Sequence, residues 1–404
     1  MMKKIVTTIL FALVCSLVFA QNPQTRKYID SLKKELRAVR NDTSHVLIMS
    51  DLCSVFQFTN YDSLGTYSEP ALALARRIKF ERGEARLLAY QGDGLAIQGN
   101  VPKSLELLFR ALQIAEEKHY AFETALCLAN IGNSYGYLND FSKTIDYSKR
   151  AAQLIEKLPK EPGAAALLVF ADANIGESYT QLNQLDSAFF YLQKSYNASI
   201  NDQFWHPVLL MWFGELQFKM GKYQAGFTYL RQCITINEKN NDQLTNADAC
   251  RIFAGFFEKY KQPDSSVYYL KKGLAAAQAI NYKLGILNIS RLLADQYEHK
   301  DLNQSHSYLR MAMAANDELF GTKKVTELQK TISDEQERQR EAKAERIAHE
   351  TRLKQYAFLT GLGILLLIAF LLYRNNQQKQ KANKILEGTI SENIHRERPG
   401  CNKN

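Results

Sequence analysis

The sequence predicts an all-α protein of stacked helical hairpins, followed by a long charged helix and one transmembrane helix. Three observations support this fold class. A small residue recurs about every 40 residues, and in four of the six copies an aromatic residue follows it three positions later. The 404 residues include only 8 prolines and contain no alternating apolar and polar runs of the kind that indicate strands. Near the carboxyl end, eighteen successive residues carry no charge.

The clearest copy of the repeat runs from Asn130 to Leu154. Gly132 and Tyr135 share one face of a first helix because they are three residues apart. Asn139 and Asp140 then supply turn chemistry, and a second amphipathic helix follows. The glycine allows the two helices to approach closely, and the aromatic ring fills the gap between them.

Five further copies align on a small residue at the same position. These residues are Gly92, Gly176, Gly214, Ala254 and Ala294. The spacing between successive small residues is 38 to 44 positions. The segment 67–78 indicates one more, degraded copy upstream. We therefore expect about seven hairpins stacked into a right-handed solenoid.

The order of small, aromatic and small residues in the copy around Gly132 resembles the tetratricopeptide repeat. That repeat has a period of about 34 residues. The excess of about six residues per unit indicates longer helices or longer loops than in that family. The resemblance implies that the first helix of each hairpin lines a concave groove.

A secretory signal peptide is predicted for residues 1–20. Lys3 and Lys4 precede an apolar run, and the small residue Ala20 marks the expected cleavage point. The apolar run has about fifteen residues, which is short for a bilayer that requires about twenty. A cleaved signal peptide would place the repeats outside the cytoplasm.

The rest of the chain divides into five predicted segments. They are an N-terminal helical cap with a degraded repeat (21–82), the tetratricopeptide-like repeats (83–320), a charged helical stalk (321–355), a transmembrane helix (356–373) and a short basic cytoplasmic tail (374–404).

The stalk has two interpretations. Val325, Leu328 and Ile332 follow the spacing of a coiled coil, but Glu335 and Gln339 then occupy the same seam. A dimeric stalk, and hence a homodimer, is one reading, and a solvated single helix is the other.

The predicted membrane segment is long enough to span a bilayer and has Tyr356 and Tyr373 at its two ends. With the signal peptide, it predicts a single-pass membrane protein with the repeats outside the cytoplasm and the tail inside. Basic residues on the inner flank agree with this orientation: Arg374, Lys379, Lys381 and Lys384.

The formal charge of +9 is unevenly distributed. The signal peptide contributes +2 and the tail contributes +4, so the repeats are nearly neutral. A nucleic-acid partner is therefore not predicted.

The six cysteines have no CxxC spacing, so neither a zinc site nor a redox motif is indicated. Buried thiols are the simplest reading. If a disulfide forms in an oxidising compartment, Cys233 and Cys250 are the first candidate pair, because they lie on sequence-adjacent helices.

The order of signal peptide, repeats, charged helix, membrane span and the juxtamembrane LLYRNNQQKQKANKIL resembles the sensor half of bacterial tetratricopeptide-containing sensor histidine kinases. In that family the cytoplasmic helix leads into a phospho-accepting histidine helix and an ATP-binding domain. Neither an ATP-binding motif nor a nucleotide lid follows Leu386. His395 is a candidate phosphoacceptor, but Arg396 follows it where that family has an acidic residue. A solvated histidine is the alternative reading.

The sequence contains no Walker loop, no HExxH, no GxSxG and no histidines at metal-ligand spacing. Catalysis, a cofactor and a metal are therefore not predicted. Ligand binding in the groove is the remaining predicted role. A groove with mixed charge and aromatic residues favours a protein or peptide ligand. Projection of the repeat positions onto the groove nominates Asn133, Tyr137, Glu177, Gln181, Glu215, Phe218, Arg251, Glu258, Arg291 and His299.

Two further observations limit the groove prediction. Asn133 and Asn174 lack the lysine partner with which tetratricopeptide proteins clamp a carboxylate, so such a clamp is not predicted. Trp205 and Trp212 are predicted to be core residues and not part of a ligand cage.

The sequence thus predicts a membrane-anchored, extracytoplasmic repeat protein that binds a protein or peptide as a signalling sensor or scaffold. The first alternative is a truncated sensor histidine kinase of a two-component system. The second and weaker alternative is a membrane-bound transcription regulator that lacks its DNA-binding domain.

Overall fold

The structure, a computed structural model, describes residues 23–40, 42–59, 61–200, 202 and 205–396. Within these residues the chain is helical and contains no strand, as the sequence predicts. Fifteen helices of 15 to 19 residues precede one helix of 75 residues. They are α1 (Pro23–Ala38), α2 (Thr43–Thr59), α3 (Tyr61–Arg77), α4 (Glu81–Ile97), α5 (Val101–Glu117), α6 (Ala121–Tyr137), α7 (Phe141–Ile155), α8 (Ala164–Gln181), α9 (Leu185–Ser199), α10 (Trp205–Lys219), α11 (Tyr223–Asn240), α12 (Gln243–Lys259), α13 (Pro263–Ala279), α14 (Lys283–Tyr297), α15 (Leu302–Phe320) and α16 (Thr322–Arg396).

The helices from α2 to α15 form seven antiparallel hairpins, which confirms the number expected from the repeats. The first helix of each hairpin packs most extensively on its own second helix. The first helices of neighbouring hairpins also contact one another directly. They form the inner layer of a solenoid, and the second helices cover it from outside. The first hairpin, α2–α3, lies within the segment predicted as an N-terminal cap, and α1 packs on α2.

Nine of the turns between helices share one backbone feature, a single residue with positive φ. The nine residues are Lys79, Gly99, His119, Asn139, Asn183, Gly221, Asn241, Lys261 and Asn281. Apart from the two longer loops before α8 and α10, they recur every 20 positions. One helix with its turn therefore takes 20 residues, and a hairpin takes 40. Helices of 15 to 19 residues account for most of the excess over the period of about 34 in the family pattern.

The energetic cost of this turn conformation can be measured at Gly221, where φ is 77° and a Cβ would meet no atom within 4 Å. Gly221→Ala should lower the free energy of unfolding by about 1 kcal/mol, because only the left-handed backbone resists a Cβ. Gly255→Ala, in helix α12 with the same open space, should raise it by about 1 kcal/mol. Chemical denaturation of both variants provides the measurement, and changes of equal sign would contradict this account.

The small residue of the repeat permits close approach of the two helices, as predicted. A Cβ on Gly132 would lie 2.8 Å from the Oγ of Ser148 and 3.2 Å from the carbonyl oxygen of Thr144. Three residues later, Tyr135 stacks on Tyr147 of the second helix with ring centroids 5.6 Å apart. Equivalent stacked pairs recur in four other hairpins, at Phe56–Tyr67, Tyr179–Tyr191, Phe257–Tyr269 and Tyr297–Tyr308.

The interior contains three apolar clusters. The main cluster runs from α1 to α10, a second joins α10 to α12, and a third joins α12 to α15. Trp205 is buried in the main cluster, and Trp212 packs partly buried against it, so both are core residues as predicted.

The candidate disulfide between Cys233 and Cys250 does not form. Both thiols are free and buried, as are those of Cys53 and Cys127. The Nδ2 of Asn237 donates to the Cys233 sulfur at 3.2 Å, within the same helix. Each thiol is thus accommodated within its own helix, and the reading of buried thiols applies to these four residues.

The chain divides into two compact units, and the second begins at Ser333. The described part of this second unit, 333–396, is the continuation of α16. One window of eighteen residues in this helix reaches a mean hydropathy of 2.3, and none of it is buried. By length and composition alone, the helix can cross a membrane. The predicted signal peptide (1–20) and the end of the tail (397–404) lie outside the described residues.

Candidate functional site

Six of the ten predicted groove residues lie along the inner face of successive first helices. They are Asn133, Tyr137, Glu177, Gln181, Glu215 and Arg251, from α6, α8, α10 and α12. We call this set, together with the residues that bind it, the inner polar strip. The repeat register produces the strip, since neighbouring first helices contact each other directly and present equivalent positions side by side.

Two carboxylates are held together in the middle of the strip. The Nε2 of Gln181 lies 3.0 Å from the Oε1 of Glu177 and 3.0 Å from the Oε1 of Glu215. Lys219 donates to the Oε1 of Gln181 at 3.1 Å and lies 3.6 Å from Glu215. Among the described residues, Glu177 has no ion-pair partner. One neutral amide thus bridges two acids, and only one of them has an ion-pair partner.

The environment raises the pKa of Glu177 to about 7. Burial is the largest cause because it disfavours the charged form, and the neighbouring carboxylate of Glu215 acts in the same direction. The hydrogen bond from Gln181 opposes the shift but does not cancel it. Glu177 can therefore change protonation near neutral pH and would be held ionised by an added positive charge.

The strip continues through α12 to the start of α14. The Nε of Arg251 lies 3.4 Å from the Oδ1 of Asp248, and the hydroxyl of Tyr282 donates to the Oδ2 of Asp248 at 3.1 Å. Arg251 remains about one-third exposed. This end of the strip carries a paired cation, an acid and a phenol.

At the other end, α6 and α4 contribute a buried acid. The Nδ2 of Asn133 donates to the Oδ1 of Asp93 at 2.8 Å. The Oδ2 of Asp93 is buried and has no hydrogen-bond partner among the residues that the structure describes. Burial raises the pKa of Asp93 to about 7, although the hydrogen bond from Asn133 acts against the shift.

Four residues of the strip were not nominated from the sequence: Asp93, Lys219, Asp248 and Tyr282. Asp93 follows Gly92 as Asn133 follows Gly132, so the same register applied one hairpin earlier would have identified it. Asp248 and Tyr282 are positioned by the start of α12 and by the turn before α14, for which the repeat pattern offers no signal.

The other four predicted groove residues lie elsewhere. Phe218 packs on Phe256 with ring centroids 4.0 Å apart. Arg291 contacts Asn316 of the outer helix α15, at 3.4 Å. Glu258 and His299 are exposed at the ends of α12 and α14. In the described part of the chain, none of these four residues contacts the inner polar strip.

A second polar cluster joins α4, α6 and the loop before α8. The Oε1 of Glu123 accepts from the Nε of Arg82 at 2.9 Å and from the Nε of Arg86 at 3.1 Å. Arg82 also pairs with Glu161. Glu123 is 1% exposed and Arg86 is 12% exposed, so this ion pair is largely removed from water. The cluster fastens neighbouring hairpins to each other.

Within the described residues, no group of three or more histidine, cysteine, aspartate or glutamate side chains is arranged to hold a metal ion. The arrangement of the inner polar strip instead consists of amide, phenol, carboxylate and cationic groups spread over several helices. Such groups can form hydrogen bonds and ion pairs with an extended chain.

The fold and the hairpin geometry define a helical-repeat protein of the α-solenoid class. The tetratricopeptide-repeat family model matches residues 208–240, which correspond to most of the hairpin α10–α11. Together with the seven hairpins, this match identifies the repeats as tetratricopeptide-type. No curated protein sequence matches the chain.

Several solved structures are similar to this chain. The Rap conjugation gene regulator of plasmid pLS20, in complex with the Phr* peptide, has a TM-score of 0.53 at 18% identity, covering 68% of this chain and 73% of that chain. Apo RapI has a TM-score of 0.49 at 17% identity, covering 70% and 98%. The apo quorum sensor NprR from B. thuringiensis has a TM-score of 0.43 at 16% identity, covering 78% and 99%. The likeness to the first of these supports the fold alone.

Proposed function

We propose that the inner polar strip binds a peptide or an extended protein segment, and that the chain acts as a sensor or scaffold and not as an enzyme. The observation that carries the proposal is the bridged pair Glu177 and Glu215, in which Glu177 has no ion-pair partner among the described residues. A Lys or Arg side chain, or an amino terminus, of a ligand would supply it. The regulator of similar fold that was solved with a peptide supports the same ligand class.

The amides of Asn133 and Gln181 and the phenol of Tyr282 complement the acids, because they can bond the backbone of an extended ligand. The residues lie on four consecutive first helices and the turn before α14, so a bound segment would extend across several hairpins. This geometry favours a chain over a compact small molecule.

Selection from a random peptide library against the purified chain tests the proposal. Enriched peptides should carry a basic residue at a fixed position, and their binding should weaken by about 1.5 to 3 kcal/mol in Glu177→Gln. Glu258→Gln, an exposed acid outside the strip, is the matched control and should leave binding unchanged. Peptides that bind both variants equally would exclude the strip as the site.

We also propose that the chain is a single-pass protein of a bacterial inner membrane, with segment 356–373 spanning the bilayer, periplasmic repeats and a cytoplasmic tail. The exposed apolar window of α16, the predicted signal peptide and the basic residues after Tyr373 support this topology. We further propose that two stalks pair into a homodimer through the seam positions that follow Ile332, because Leu328 and Ile332 themselves pack against the main apolar cluster.

Thiol labelling tests the topology because the cysteines of the described repeats are buried. A membrane-impermeant reagent should modify the tail residue Cys401 only after the cells are permeabilised. The variant Tyr28→Cys, at an exposed position of α1, should react in intact cells. Labelling of Cys401 in intact cells would reverse or exclude the proposed orientation.

The alternative that the chain is the sensor half of a histidine kinase makes a different prediction. A kinase half, or a partner kinase acting on His395, would incorporate acid-labile phosphate from ATP. The weaker alternative of a transcription regulator requires a DNA-binding domain. Mass and autophosphorylation of the protein expressed from its own locus distinguish these alternatives from a non-enzymatic scaffold.

A further inference from the structure

The early and late hairpins of the repeat array meet at one contact zone, which we call the closure seam. It consists of Gly99 and Asn100, in the turn between α4 and α5, against Leu319 of α15 and Lys324 of α16. A Cβ on Gly99 would lie only 2.1 Å from the Cδ2 of Leu319. The Nζ of Lys324 donates to the Oδ1 of Asn100 at 2.7 Å, although the two residues are 224 positions apart. The turn between α4 and α5 therefore contacts the last hairpin and the start of α16.

The first turns of α16 extend this contact. Leu328 and Ile332 pack, partly buried, against the main apolar cluster. All buried members of that cluster lie between Ile29 and Leu216, so α16 packs on the early hairpins although it follows the last one. Apolar burial of this kind stabilises the contact by about 25 cal/mol for each Å² removed from water.

The closure seam is connected to the inner polar strip through Tyr137. This side chain, at the end of α6, packs against the main cluster and also against the cluster of α12 to α15. Burial raises its pKa, with Asp93 and Asp248 as further causes, so both ends of the strip lie near it.

We propose that the closure seam is a latch that couples occupancy of the inner polar strip to the docking of α16. With Tyr137 in place, early and late hairpins remain joined and α16 stays docked. A ligand that separates the two clusters at Tyr137 opens the closure seam and releases the first turns of α16. Because α16 is one helix from Thr322 to Arg396, the latch acts on the element that contains the apolar segment. Only the ligand in this inference rests on the proposed function.

Opening of the closure seam can be tested without a ligand, using Gly99→Asn. Asparagine occupies the same positive-φ position in four other turns, so the backbone tolerates it, but its side chain would collide with Leu319. Gly221→Asn is the matched control, since φ there is 77° and no atom lies within 4 Å. Both variants are made in the full chain in detergent micelles, and amide hydrogen exchange is followed by mass spectrometry.

In Gly99→Asn, we expect segments 326–332 and 130–137 to exchange together, about tenfold faster than in the wild type. Gly221→Asn should exchange at wild-type rates in both segments. Acceleration of 326–332 alone would overturn the coupling, and unchanged rates in both would overturn the latch. If Gly99→Asn fails to fold, Lys324→Ala gives the same two readouts with a smaller perturbation. None of these outcomes depends on peptide selection, so failure of the proposed ligand class remains distinguishable.

Discussion

Glu123→Ala should lower the free energy of unfolding by about 3 to 5 kcal/mol, the range for removing one partner of a buried ion pair. Glu123 is 1% exposed and accepts from both Arg82 and Arg86. Its removal takes the hydrogen-bonded countercharge away from the guanidinium of Arg86, which is only 12% exposed and therefore poorly solvated. Arg82 is more exposed and should recover part of its hydration. Urea denaturation of the wild type and the variant provides the measurement.

Two further variants identify the physical cause. Glu123→Gln keeps an oxygen acceptor while it removes the charge, so its effect should be smaller than that of alanine but of the same sign. Glu106→Ala breaks the exposed pair with Lys103 and should cost less than about 1 kcal/mol. If Glu106→Ala and Glu123→Ala lower the free energy of unfolding equally, burial does not determine how much the second polar cluster contributes to stability.

Stability should rise as the pH falls from about 8 to about 5, and Asp93→Asn should remove a large part of this rise. Asp93 is fully buried, and burial raises its pKa from 3.8 to about 7 in the folded protein. The folded state therefore binds a proton at a pH at which the unfolded state has released it. Above pH 7, this difference of about three units costs about 4 kcal/mol, which is recovered as the pH approaches the unfolded pKa.

The sign of the change in stability with pH distinguishes Asp93 from carboxylates that stabilise the folded state in their ionised form. The backbone N–H of Gln304 lowers the pKa of Asp301, the residue that caps α15. Its stabilising effect is lost only in acid, so Asp301→Asn should leave the slope between pH 5 and 8 unchanged. Glu177, with a pKa raised to about 7, should retain a residual slope in Asp93→Asn. A slope of opposite sign in the wild type would contradict burial of an ionisable acid at Asp93.

The hairpins could be predicted from sequence because their signal is local. Gly132 marks the position at which the two helices approach closely, and Tyr135 supplies the ring that fills the gap between them. Both contacts lie within one hairpin. The inner face is less predictable, because one residue corresponds to a rotation of about 100° around a helix. The sequence pattern nominated Phe218 for the groove, but this ring packs in an aromatic cluster. The next residue, Lys219, lies in the inner polar strip.

The contacts between distant hairpins were beyond sequence reasoning. Lys324 bonds Asn100 only because small rotations between seven hairpins accumulate to bring these residues together. Asp93 was missed for a different reason. Its register was readable, but an isolated acid gives no sign in sequence that both of its oxygens are buried.

The closure seam also fixes how many hairpins this array can contain. In an open solenoid, duplication or deletion of one unit lengthens or shortens the stack and leaves the remaining interfaces intact. Here Leu319 and Lys324 meet Gly99 and Asn100 across a set number of intervening hairpins. Gain or loss of a single 40-residue unit would carry α16 away from its docking surface. The contact that holds the last helix in place therefore also sets the number of repeats.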